Sequence, residues 1–293
     1  MERQTTVHVT ETDIELDDGR RLHVYDTGGD DRLAVVWHHG TPNLGTPPVP
    51  LFETADELGI RWVSLDRPAY GTSTPLRGRD FASTAGDVRQ LADALGVDRF
   101  ATMGHSGGGP NALACGALLP DRVVAVVSVS GPAPYGSDGL DWFAGMAPAG
   151  QAALRAATHG RQAYEHHLET STEEDVGFTP GDEEALGGDW SWFLDVVRPA
   201  IEQGPEGLIA DELANAGPWG FDPASIVAPV LILHGGRDRM VPSSHGEWLA
   251  RCCPTAELWL RPDDGHITVM NAGPDALRWI REQMPEIPCT QGV

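Results

Sequence analysis

Short runs of β-branched and apolar residues recur along the chain, and several are apolar at every position. Ala34-Val35-Val36-Trp37 and Val230-Leu231-Ile232-Leu233 have no polar face at all. A strand with one wet face alternates polar and apolar residues, whereas a strand covered on both faces need not. These runs are separated by longer segments of helical periodicity. The pattern predicts an α/β fold: a mostly parallel, eight-stranded sheet with helices on both faces. Strands are expected at 6–9, 20–25, 33–39, 60–66, 99–104, 123–129, 230–234 and 256–260, and helices at 51–58, 81–95, 110–119, 243–252 and 271–284.

The alternation stops between about residues 133 and 220. That stretch has no clear strand, several helical segments, and sixteen acidic residues against three arginines (Arg155, Arg161, Arg198), a balance of −13 out of a chain total of −23. An insertion of this kind after the sixth strand reads as a helical cap (133–220) on a core made of 1–132 and 221–293. Such acidity repels phosphate backbones and anionic lipid, so neither nucleic acid nor membrane is an expected partner. No apolar run approaches the roughly 18 residues of a membrane helix. The opening Met-Glu-Arg-Gln-Thr-Thr lacks the charged-then-apolar plan of a secretory leader, which makes the cytoplasm the expected location. Cys115, Cys252, Cys253 and Cys289 match no metal or disulfide framework and read as reduced, buried thiols. Neither metal nor cofactor is expected, and a small molecule is the expected substrate.

The strongest chemical signal is Gly104-His105-Ser106-Gly107-Gly108, a G-x-S-x-G turn between an expected strand and an expected helix opening at Pro110. A serine in so sharp a turn needs neighbours without side chains, so that strand and helix can approach. The helix then directs its free N–H groups toward the serine, where they favour developing negative charge.

A serine hydroxyl is a poor nucleophile near neutral pH without a base beside it. In this architecture an acid and then a histidine follow the serine in chain order. The strand at 230–234 runs into Gly235-Gly236-Arg237-Asp238, and the strand at 256–260 runs into Arg261-Pro262-Asp263-Asp264-Gly265-His266. Both loops lie at the carboxyl edge of the sheet, where Ser106 also sits. Asp238 is therefore expected to orient His266, and His266 to act as general base for Ser106. Asp263 and Asp264 read as turn residues, and His245 as an outward-facing residue near a helix start. His159, His166 and His167 read as a solvated helix face.

With these motifs in place, the chain resembles the α/β-hydrolase superfamily over nearly its whole length. His39-Gly40-Thr41 resembles the turn that follows the third strand in that superfamily. The resemblance implies that the backbone amides of Thr41 and Gly107 hold an oxyanion. Asp66-Arg67-Pro68-Ala69-Tyr70-Gly71-Thr72-Ser73 resembles a loop of many capped members, with Ala69 where glycine is usual. Serine at position 106 argues against epoxide hydrolases and haloalkane dehalogenases, which carry aspartate there. The implied activity is cleavage of a carboxylic ester of a small substrate through an acyl-enzyme, and the strongly acidic cap, which disfavours anions, makes a neutral or cationic substrate the expected one. A proline-iminopeptidase-type aminopeptidase, a carbon–carbon bond hydrolase or a lactonase would use the same triad, and a receptor could retain it. Trp142, Phe143, Trp190, Trp192, Phe193 and Trp219 are expected to line the substrate pocket or to pack the cap onto the core.

Overall fold

The computed structural model describes residues 8–284. Eight strands form one sheet: β1 (Thr10–Glu15), β2 (Arg21–Asp26), β3 (Leu33–His38), β4 (Ile60–Leu65), β5 (Phe100–His105), β6 (Val123–Val129), β7 (Val230–Gly235) and β8 (Ala256–Arg261). Their order is β1-β2-β4-β3-β5-β6-β7-β8. The β1–β2 and β2–β4 pairs are antiparallel and the other five parallel. Strands β3 to β7 are buried at every position, including the polar Arg61, Ser64, Thr102 and Ser128 within their largely apolar runs.

Successive residues of a strand face opposite sides of the sheet. Ala34 and Val36 accordingly join one apolar cluster, and Val35 and Trp37 the other. Helices α2 (Phe81–Ala94), α3 (Gly108–Leu118) and α9 (Ser243–Cys252) cover the first face, while α1 (Phe52–Glu57) and α10 (Gly273–Glu282) cover the second. Helix α2 shows why a segment becomes one of these elements. The Asp80 side chain accepts from the Ser83 amide and Ser83 reciprocates at the Asp80 amide, closing the first turn. Phe81, Ala85, Val88 and Ala92 then fall on one stripe, which is buried.

The first strand departs from expectation. It is Thr10–Glu15 rather than 6–9; residues 6 and 7 lie outside the described residues, and His8 and Val9 are not in a strand. Thr10–Glu15 is polar and mostly exposed because it is an edge strand, whose ladder to β2 needs no apolar face. Helix α3 opens at Gly108, two residues before Pro110, which still falls in the first turn where a missing N–H costs nothing. Cys115 and Cys253 are buried free thiols, Cys252 is half-buried, and Cys289 lies outside the described residues.

Between β6 and β7 the chain forms no strand. It runs through α4 (Pro148–Ala157), α5 (Arg161–Thr170), α6 (Pro180–Leu186), α7 (Trp192–Glu202) and α8 (Glu206–Ala216). Trp192 of α7 packs edge-on against Trp37 of β3 at 6.3 Å, and Trp37 meets Trp62 of β4 at 6.2 Å. Trp37→Ala should therefore cost about 3–5 kcal/mol, the range for truncating a fully buried aromatic. Urea unfolding measures it, and a loss under 1 kcal/mol would mean that this face repacks freely.

Candidate active site

Strand β5 delivers its last residue, His105, to the carboxyl edge of the sheet, and Ser106 turns the chain into α3. Ser106 has φ +56°, a left-handed conformation rarely adopted by side-chain-bearing residues. Its amide donates to Val129 O at 2.8 Å and its carbonyl accepts from Gly109 N at 2.9 Å. A Cβ on Gly104 would stand 2.2 Å from Gly108 O, so only glycine permits this strand–helix approach. A Cβ on Gly107 would stand 3.6 Å from Thr41 N, which makes the two expected oxyanion donors neighbours.

The loop after β7 supplies Asp238 and the loop after β8 supplies His266. His266 Nδ1 donates to Asp238 Oδ2 at 2.7 Å, and Asp238 Oδ1 accepts from the amides of Met240 (2.9 Å) and Val241 (2.8 Å). Both side chains are buried. Burial alone would raise the Asp238 carboxyl. The charge and hydrogen bond of His266, with His234 and the Val241 amide, outweigh it and hold the group below its ordinary value. His105 Nε2 donates to His266 O at 2.9 Å, and burial pushes the His105 imidazole down to about 3, so it stays neutral.

Ser106 and His266 open onto one cavity of about 270 Å3, walled by Val176, Phe178, Phe193, Leu194, Val197 and Ile267. A smaller recess of about 90 Å3 shares Ser106, Thr41 and Met240 with it and adds Trp142, Met146, Glu212 and Asn215. Of the aromatic residues singled out in the sequence, Phe193 and Trp142 line these spaces. The others do not. Trp190 donates to Asn271 Oδ1 at 2.7 Å, Trp192 packs on Trp37, Trp219 packs on Phe81 at 5.3 Å, and Phe143 lies against Trp142 at 5.1 Å and beneath the Arg155 guanidinium. Trp190, Trp192 and Trp219 thus join the helical segment to the core, whereas Phe143 packs within the segment itself.

His245 also departs from expectation. The segment after β6 folds over it, so that Nδ1 accepts from Ala133 N at 3.1 Å and Nε2 donates to Trp142 O at 2.9 Å. Burial pushes this imidazole down to about 4.

The sequence left one further cluster without a signal. Asp211 of α8 is buried and accepts from Thr41 Oγ1 at 2.8 Å, Tyr70 Oη at 2.7 Å and Arg67 Nη2 at 2.7 Å, and also from Arg79. Arg67 in turn donates to the carbonyls of His39 and Gly40. The 66–73 loop had marked Arg67 and Tyr70, but their acidic partner lies more than 140 residues on. Ala69, in that same loop, takes φ +77°, so the turn keeps the conformation that glycine would adopt without strain.

The family profile described as alpha/beta hydrolase fold matches residues 34–272. The chain belongs to the α/β-hydrolase family. This α/β-hydrolase is 27% identical over 263 residues to the dihydrolipoyllysine-residue acetyltransferase component of acetoin cleaving system of Cupriavidus necator, covering 88% of this chain and 65%, just under two thirds, of that protein. It is 28% identical over 268 residues to a 2-hydroxy-6-oxononadienedioate/2-hydroxy-6-oxononatrienedioate hydrolase of Klebsiella pneumoniae, covering 86% of this chain and 88% of that one. Its fold superposes on a bromoperoxidase of Bacillus anthracis with a TM-score of 0.70 at 21% identity, over 93% of this chain and 100% of that one. Among the described residues of this α/β-hydrolase, no helix is long and apolar enough to cross a membrane. None of them forms a group of three or more side chains able to hold a metal ion.

The Asp211 cluster gives a pH test. Burial alone would raise this carboxyl, but Arg67 and Arg79 hold it far below the ordinary range. The unfolded chain takes up a proton at Asp211 near pH 4 while the folded protein does not, so the stability it supplies is complete above about pH 5 and is lost as pH falls. Asp211→Asn should cost about 3–5 kcal/mol at pH 7, because it leaves two buried arginines without their counter-charge. It should also flatten the acid limb of the stability curve. Calorimetry across that range checks both, and an unchanged acid slope would contradict the assignment.

Proposed function

We propose that the chain is a serine esterase in which Ser106 is the nucleophile, His266 the general base and Asp238 the residue that orients it. His266 removes the hydroxyl proton as Ser106 attacks the ester carbonyl, and the amides of Thr41 and Gly107 receive the oxyanion. His266 then gives that proton to the departing alkoxide, which leaves as an alcohol. Water, deprotonated by the same imidazole, hydrolyses the acyl-serine and releases the acid. The Asp238 carboxylate holds the imidazole in the tautomer that leaves Nε2 free to take the proton.

The observation that carries this reading is the single cavity onto which Ser106 and His266 both open, with Asp238 2.7 Å behind the imidazole. Its apolar walls suit a hydrocarbon portion of the substrate. The helical segment at 133–220 serves in this reading as a cap. Val176, Phe178, Leu186, Phe193, Leu194 and Val197 are its contribution to the cavity. The smaller recess disfavours an anionic group. There Glu212 has no cationic partner among the described residues, and burial pushes its carboxyl up to about 7, against the hydrogen bond from Asn215 and with the help of the Asp211 charge. Neutral or cationic esters follow. The same carboxyl, without a cationic partner among the described residues, favours a second reading, an aminopeptidase that holds a free amine beside Ser106.

Ser106→Ala should reduce turnover by about 10⁶-fold with the fold intact. Asp238→Asn should reduce it by about 10³-fold or more, because the base takes the wrong tautomer. Steady-state rates on short-chain nitrophenyl esters and on proline-nitroanilide separate the two readings. Turnover of the anilide alone would replace the esterase with the peptidase. Failure of a fluorophosphonate to label Ser106 would favour a receptor.

A further inference from the structure

Helix α6 begins with Thr179 as its cap, and Asp182 occupies its third position. The Asp182 side chain is buried, yet no cation stands within ion-pair distance among the described residues. Six donors satisfy it instead. Three are the consecutive amides of His266 (3.2 Å), Ile267 (2.9 Å) and Thr268 (2.9 Å), and a fourth is the Thr268 hydroxyl at 3.1 Å. The other two are the amide and hydroxyl of Thr179, at 3.0 and 2.9 Å. Burial alone would raise this carboxyl, but the amides of Thr179, Thr268 and Ile267 hold it below its ordinary value.

Residues 266–268 lead into a 3₁₀ turn at Thr268–Ala272, and the first N–H groups of any helical turn lack partners within it. A neighbouring side chain ordinarily caps such groups. Here the cap comes from α6, 84 residues earlier in the chain for His266. The fit is close: a Cβ on Gly265 would stand 2.0 Å from Asp182 Oδ2. Asp211 is the counterpart at the other loop, since it accepts from Thr41 Oγ1 and holds Arg67 against the carbonyls of His39 and Gly40.

We infer that Asp182 and Asp211, both outside the triad, are positioning residues for the reaction at Ser106. Asp182 sets the backbone that carries His266, and Asp211 sets the loop that carries the Thr41 amide. The helical segment thereby acts on the chemistry itself as well as on access to the cavity. This inference rests on Ser106 being the nucleophile.

A cover acts through contacts with the substrate, whereas a brace acts on any reagent that Ser106 attacks, however small. The test is the rate at which a methyl-substituted fluorophosphonate, too small to span the cavity, labels Ser106. Asp182→Ala should slow labelling about 100-fold, as expected when a base shifts by about 1 Å. On a nitrophenyl ester it should lower kcat and leave KM near the wild-type value. Asp182→Asn keeps an oxygen for the Ile267 and Thr268 amides and should recover part of the rate, and Asp211→Asn should slow labelling as well. Near-UV circular dichroism checks the fold. Labelling of Asp182→Ala at the wild-type rate overturns the inference, and if that variant does not fold, wild-type labelling of Asp182→Asn does so. Wild-type protein that is not labelled at all would remove the nucleophile and the inference with it, a result distinct from labelling that ignores Asp182.

Discussion

A side-chain-bearing residue at positive φ stores on the order of 1–3 kcal/mol of steric strain, and it persists only where its surroundings over-determine it. Ser106 is held in that conformation from both sides. Its amide is tied to β6 through Val129 O and its carbonyl to the first turn of α3, while β3 and β6 pair with β5 along its length. The serine cannot relax without breaking the middle of the sheet. Its hydroxyl therefore stands at the carboxyl edge, and the remaining groups of the site are arranged around that fixed point.

Carboxylates are the means by which the surrounding loops are held, and each one answers the cost of burial differently. Desolvating an unpaired charge costs several kcal/mol, so a buried carboxylate needs either a counter-charge or several hydrogen-bond donors. Asp211 uses two arginines. Asp182 uses amides and hydroxyls alone. Asp238 combines two amides with one imidazole, which leaves its second oxygen to orient the ring. Glu212, one residue beyond Asp211, has only Asn215 as a side-chain donor among the described residues, and its raised carboxyl is the consequence.

How much was legible in the sequence follows the range of the interactions concerned. Strands β3 to β8 and helices α2, α3 and α9 announce themselves through local pattern, and their observed limits fall within a residue or two of expectation. The edge strand at Thr10–Glu15 does not, because one ladder and an exposed surface impose no apolar signature. Thr179-Pro180-Gly181-Asp182 carries a readable helix start, but nothing local says that the same carboxylate also caps the His266 loop. The tryptophans stay open between cavity and packing for a related reason. Apolarity marks Trp190, Trp192 and Trp219 for burial without distinguishing a substrate cavity from the underside of a packed helix.

The sequence alone determined the class of the fold, the strand–turn–helix at Ser106 and the order in which Asp238 and His266 follow it. Each of these depends on periodicity, on glycine spacing or on the way parallel strands deliver their ends to one edge. Tertiary structure alone decided which aromatic residues face the cavity, that His245 is buried, and that two carboxylates of the helical segment grip the loops around Ser106. Those outcomes depend on how the helices between β6 and β7 lie across the sheet. Contacts between residues 80 to 170 positions apart set that arrangement, and no window of sequence contains both partners.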